Sequence, residues 1–201
     1  MSLDSAATPA AKPPWARGYG VVAVSLHWII ALLIFAMLAM GWRMTDETVP
    51  QMVRFQLYQL HKSVGLTILV LTALRVLWRV IHPAPSLPPH IAGWQRGLAH
   101  LVHIGLYVIM LGLPLTGWAM VSASPWGLPT IVFNLFEWPH IPFLAALENK
   151  EPVEAALKNA HFFLVWGAVF LLALHIAGAL KHRFIDKDYW ASRMLPPFPP
   201  K

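Results

Sequence analysis

No cysteine occurs among the 201 residues. That removes disulfides, iron–sulfur clusters, thiolate metal sites and thioether-bound haem from consideration. Charge is scarce too: Asp, Glu, Lys and Arg make up 12% of the chain, about half of the roughly 25% found in soluble globular proteins. Acids are the scarcest, nine against fifteen Lys and Arg. In so apolar a chain this excess does not point to nucleic acid; it follows the bias of membrane proteins toward basic cytoplasmic loops. The first twenty residues have no apolar core and so cannot form a signal peptide. Residues 1–20 are expected to form a flexible cytoplasmic arm, with the first membrane helix acting as an uncleaved insertion signal. No internal repeat or low-complexity tract is present.

What the chain has is oil and imidazole: 57% hydrophobic residues and ten histidines. Four stretches reach the roughly 20 apolar residues needed to cross a bilayer, at about Val21–Trp42, Leu57–Val80, Leu98–Val121 and His161–Lys181. The link 81–97 is dense in proline and cannot continue a helix. Basic residues set the orientation. The arm (Lys12, Arg17), the region around the proline-rich link (Arg75, Arg79, Arg96) and the tail (Lys181, Arg183, Lys187, Arg193, Lys201) are basic, whereas the long link 122–160 carries Glu137, Glu148, Glu151 and Glu154 against Lys150 and Lys158. Both termini are therefore expected in the cytoplasm, with a membrane domain over 21–185, a tail over 186–201 and the link 122–160 outside. Trp28, Trp42, Trp78, Trp118 and Trp190 fall near the expected interfaces, where amphipathic rings favour the headgroup level.

Ionisable side chains inside a membrane span are expensive to desolvate and mark function. His161 and His175 stand on the fourth span fourteen residues apart, which is ~21 Å of helix and within about 40° of one face. The second span begins with His61 on the outer side, and the first carries His27 near its inner start. Depth therefore pairs His61 with His161 and His27 with His175. Two bis-histidine pairs stacked in a four-helix bundle are what two b-type haems require. Gly65, Ala31 and Ala179 each follow a histidine of this set by four residues, where a porphyrin needs room. Arg75 lies at the depth of the inner pair and is a candidate partner for haem propionates; snorkelling to the headgroups explains it equally well. His100 and His103 rival His27 but rank below it, because the third span has no outer histidine. His82, His90 and His140 fall in links or interfaces and are expected to be solvated.

"SLHW", "LHKSVGL", "GLAHLVHIGLY", "LPLTGW" and "LALHIAGALKHRFIDKDYWASRMLP", in this order, resemble the bacterial di-haem cytochrome b561 family over about residues 19–196. The resemblance implies an all-α membrane protein, a four-transmembrane-helix bundle enclosing two b-type haems, in the bacterial inner membrane. It places the axial ligands on His27, His61, His161 and His175. It further implies a superoxide oxidase, with superoxide oxidised at the periplasmic side and ubiquinone reduced in the membrane. The N-terminal arm and the long acidic outer link depart from the compact family pattern.

Lys62 and Lys158 adjoin the outer pair and are candidates for steering superoxide. Lys181 and His182, at the inner end of the fourth span, are candidates for the quinone side; a basic flank to a membrane helix is the plainer account of them. Two other functions are open. One is a haem-bearing anchor joining a partner dehydrogenase to the quinone pool, docking through Trp126, Phe133, Phe136 and Trp138. The other is a metal or proton transporter using the histidines directly, which would show no haem spectrum.

Overall fold

In the computed structural model, residues 18–86, 91–187 and 193–194 are described. The expected arm over 1–17, His90, Trp190 and most of the expected tail lie outside them. Four long helices follow the four apolar stretches: α1 (Val21–Thr45), α2 (Gln51–Ile81), α3 (Gly93–Ser122) and, after a short α4 (Pro142–Ala145), α5 (Glu151–Leu180). All four are long and apolar enough to cross a membrane, and their outward faces carry large apolar side chains such as Leu32, Val80 and Phe163. In water such a surface would be ruinous; in a bilayer it is the solvent contact.

The helices outrun the expected spans, chiefly at one end. α2 begins at Gln51, leaving only five residues between it and α1, and α5 begins at Glu151, ten residues ahead of His161. Pro152 in the first turn of α5 and the acids Glu151 and Glu154 there suit a helix start, where an N–H is not needed and the dipole favours negative charge. The link 122–160 is also folded. Strands β1 (Thr130–Val132) and β2 (Phe136–Trp138) pair antiparallel, Thr130 opposite Trp138, and α4 and the start of α5 fill much of the rest. The hairpin turns through Phe133 (φ 47°) and Asn134 (φ 59°), closed by a bond from the Leu135 N–H to the Val132 carbonyl (2.9 Å).

α1 packs on α2, α2 on α3, and α3 on α5. The α3–α5 seam is close: a Cβ at Gly105 would lie 2.7 Å from Leu171 Cδ1, and one at Gly167 would lie 3.3 Å from Ile109 Cδ1. Small residues let membrane helices approach in this way. α2 and α5 sit diagonally and share no packed seam. At one end, Arg79 of α2 lies over the Tyr19 ring ahead of α1 (5.2 Å), and the Trp28 indole donates to the Met194 carbonyl. The start of α1, the end of α2 and the stretch after α5 thus share one end of the bundle, here the terminal end; the opposite end is the hairpin end.

Candidate functional site

A cavity opens between α2 and α5 toward the hairpin end, with about 1310 Å³ of unfilled space counting its open side. His61 of α2 and His161 of α5 both line it, with Gly65 and Gly117 beside them. The glycines keep the walls thin: a Cβ at Gly117 would stand 3.5 Å from His161 Cε1, and one at Gly41 3.9 Å from His61 Cε1. His61 Nδ1 is buried and has no hydrogen-bond partner, and buried polar atoms are seldom left so.

His161 is oriented by a residue that the sequence reading passed over. Thr116 Oγ1 lies 2.8 Å from the Gly112 carbonyl and 2.9 Å from the Leu113 carbonyl. Its single proton is thereby committed, so toward His161 Nδ1, 3.1 Å away, it acts as acceptor. Nδ1 then carries the imidazole proton and Nε2 keeps its lone pair, the state a metal ligand needs. The signal was present in "LPLTGW": Thr116 sits in a helix containing Pro114, one turn after the carbonyls it binds.

A second histidine group lies toward the terminal end. The His27 and His175 ring centres are 6.0 Å apart. Two imidazoles binding one metal ion from opposite sides through bonds of about 2 Å would have their centres about 6 Å apart. Arg75 donates to the Ala23 carbonyl (2.9 Å) and approaches His27 Nδ1 at 3.4 Å, so it stands at the depth expected of it. His103, ranked below His27 from sequence, comes within 5.2 Å of His175. His100 turns back to its own helix, its Nδ1 2.7 Å from the Arg96 carbonyl. His82 stacks on Trp78 (3.9 Å). Among the described residues no group of three or more His, Asp or Glu could hold a metal ion.

The other candidates have partners of their own. Lys158 is ion-paired with Glu154 (3.2 Å), and Lys62 donates to the Pro129 carbonyl of the hairpin (2.8 Å). Lys181 holds Asp186 at 2.9 and 2.6 Å, and His182 Nδ1 lies 2.7 Å from the same carboxylate. These residues form a π-helical turn, Lys181–Ile185, that ends α5. The Lys181 ammonium holds the Asp186 carboxyl below the usual carboxylate range. Of the small residues expected beside the ligands, Gly65 lines the cavity and Ala179 is exposed.

Four membrane helices with histidines lining a cavity toward one end and clustered toward the other, in a chain without cysteine, are the frame of a b-type di-haem membrane cytochrome. The sequence profile of prokaryotic cytochrome b561 matches residues 18–197, and the chain belongs to that family. It is 34% identical over 177 residues to "Cytochrome b561 homolog 2" of Escherichia coli (strain K12), covering 88% of this chain and 90% of that one. To "Cytochrome b561 homolog 1" of the same organism it is 32% identical (86% and 94% covered). To "Probable superoxide oxidase CybB" of Yersinia pestis it is 29% identical over 184 residues (90% and 97% covered). The protein is thus a multi-pass membrane cytochrome of the electron-transferring b561 type, and its cofactor is b-type haem.

Proposed function

We propose that His61 with His161, and His27 with His175, are the axial ligands of two haems, and that the protein carries electrons from a periplasmic donor, superoxide, to ubiquinone in the membrane. The carrying observation is that the unbroken α5 runs from His161, which lines the hairpin-end cavity with His61, to His175, 6.0 Å from His27. The haem supplies one-electron redox chemistry; everything else is supplied by the chain. Thr116 fixes the His161 tautomer, the glycines leave room beside the outer imidazoles, and Arg75 places positive charge against His27. Each superoxide gives up one electron and leaves as dioxygen. Two such electrons, with two protons taken up at the quinone, convert ubiquinone to ubiquinol. The cluster of Lys181, His182 and Asp186 at the terminal end is the candidate proton path. Superoxide as donor rests on the likeness to the Yersinia pestis protein; the terminal end as cytoplasmic rests on the basic residues around it.

The decisive test uses purified protein alone. Its spectrum should show two low-spin haems b per chain, and superoxide should drive stoichiometric ubiquinol formation. Haem without superoxide-driven quinone reduction would defeat the enzymatic reading and leave electron transfer standing.

A second reading, an anchor for a partner dehydrogenase, draws on the hairpin end. Trp126 is 82% and Leu135 79% exposed there, an apolar surface of the kind that marks an interface. Under this reading quinone reduction appears only when the partner is added.

A further inference from the structure

Two residues that line the His61/His161 cavity near the hairpin carry hydrogen-bond donors with no anionic partner among the described residues. Lys62, adjoining His61 on α2, is half-buried and lines the cavity. Its one described polar partner is the neutral Pro129 carbonyl. An ammonium has three protons to donate, so that bond leaves two uncommitted. Trp138 lines the same cavity, and its Nε1–H is buried with no partner, a costly state for a donor. The fold brings the two together. Trp138 pairs across the hairpin with Thr130, the residue after the carbonyl that holds Lys62. Trp118 packs edge-on against the Trp138 ring (5.8 Å) and is pinned by its own bond to the Pro139 carbonyl (2.9 Å), so the indole cannot simply swing out.

We propose that Lys62 and Trp138 form a carboxylate anchor, and that its ligand is a propionate of the haem held by His61 and His161. The inference rests on the proposed ligand assignment and replaces substrate steering as the role of Lys62. A charge partly withdrawn from water needs a counter-charge, and a planar carboxylate accepts from an ammonium and an indole N–H together. The contact would tie the hairpin to the cofactor as well as to α2.

The test is spectroelectrochemical titration of the full-length purified protein and of Lys62→Gln, Lys62→Arg and Trp138→Phe. Gln can still donate to the Pro129 carbonyl but carries no charge. Lys62→Gln should lower the potential of the outer haem alone, since an uncompensated carboxylate favours the oxidised iron; Lys62→Arg should restore it. Trp138→Phe should shift the same haem in the same direction. Both variants should release that haem in detergent with an affinity reduced by about tenfold or more. Reconstitution with haem whose propionates are esterified gives the independent arm: wild type should bind it more weakly than haem at the outer site, whereas a variant carrying both Lys62→Gln and Trp138→Phe should not discriminate. Two haems per chain with an outer potential indifferent to both substitutions would overturn the anchor alone. Fewer than two haems in the wild type would overturn the ligand assignment with it.

Discussion

Thr116 shows how much one hydroxyl decides. With its proton spent on the Gly112 and Leu113 carbonyls, it can only accept from His161 Nδ1, so removing it frees the ring to rotate or change tautomer. Thr116→Val should weaken retention of the outer haem by about 10–100-fold, the usual cost of losing such an outer partner; Thr116→Ser should retain it, read as haem content after gel filtration. His161→Ala should remove the outer haem and spare the inner one, and His175→Ala the reverse. Equal loss of both haems in every single variant would leave the pairing unsupported. At this scale the sequence was legible where helical arithmetic suffices, since depth and face follow from numbering along a span. It was not legible for Lys62, whose neighbour Pro129 is 67 residues away, or for Trp138, whose buried nitrogen is a fact of the folded hairpin.

The hairpin is the element least visible in the sequence. Its strands are three residues each, and its turn places Phe133 at positive φ, a region costing non-glycine residues roughly 1–2 kcal/mol and seldom chosen by an aromatic. What holds it is α2. Ser63, 1% exposed, accepts the Phe133 N–H (3.0 Å), and Gln59 donates to the Pro129 carbonyl (3.2 Å). Ser63→Ala would strand a backbone donor, a loss of about 1–3 kcal/mol. Hydrogen exchange at the Phe133 amide should accelerate accordingly while α1–α3 remain protected. The four long helices, by contrast, were readable from composition alone; their excess length was not, because Gln51–Gln56 and Glu151–Ala160 are helical without being apolar enough to span. At the other end of α5, Asp186 is held below its ordinary pKa, foremost by the bond from Lys181. A depressed carboxylate stabilises the fold above its unfolded pKa of about 3.9 and loses that contribution as pH falls through the lower folded value. The π-turn should therefore loosen below about pH 4, and Asp186→Asn should abolish that acid dependence, measured by proteolysis after α5.

For the whole molecule, orientation is the property on which the rest depends. The start of α1 and residue 194 share one end of the bundle, so a reporter after Lys201 and one inserted at Asn134 should fall on opposite sides of the membrane, the first cytoplasmic. The reverse result would invert donor and acceptor sides together. Charge alone gave this orientation in sequence, whereas the packing order of the helices came only from side-chain fit, as at Gly105 and Gly167.

His161 and His175 ride one uninterrupted rod, Glu151–Leu180, and that makes α5 a ruler. The separation of the two stations, ~21 Å, is written in covalent bonds and helical rise, not in loops or in the fit of one helix against another. The outer segments are thus free to lengthen, acidify or acquire a hairpin without retuning the relay. The same rigidity leaves no tolerance within the rod. One alanine inserted after Ala168 would advance His175 by only ~1.5 Å but swing it ~100° around the axis, turning it away from His27. A seven-residue insertion, close to two whole turns, would restore the bearing at ~10 Å greater depth, beyond the reach of the same partner.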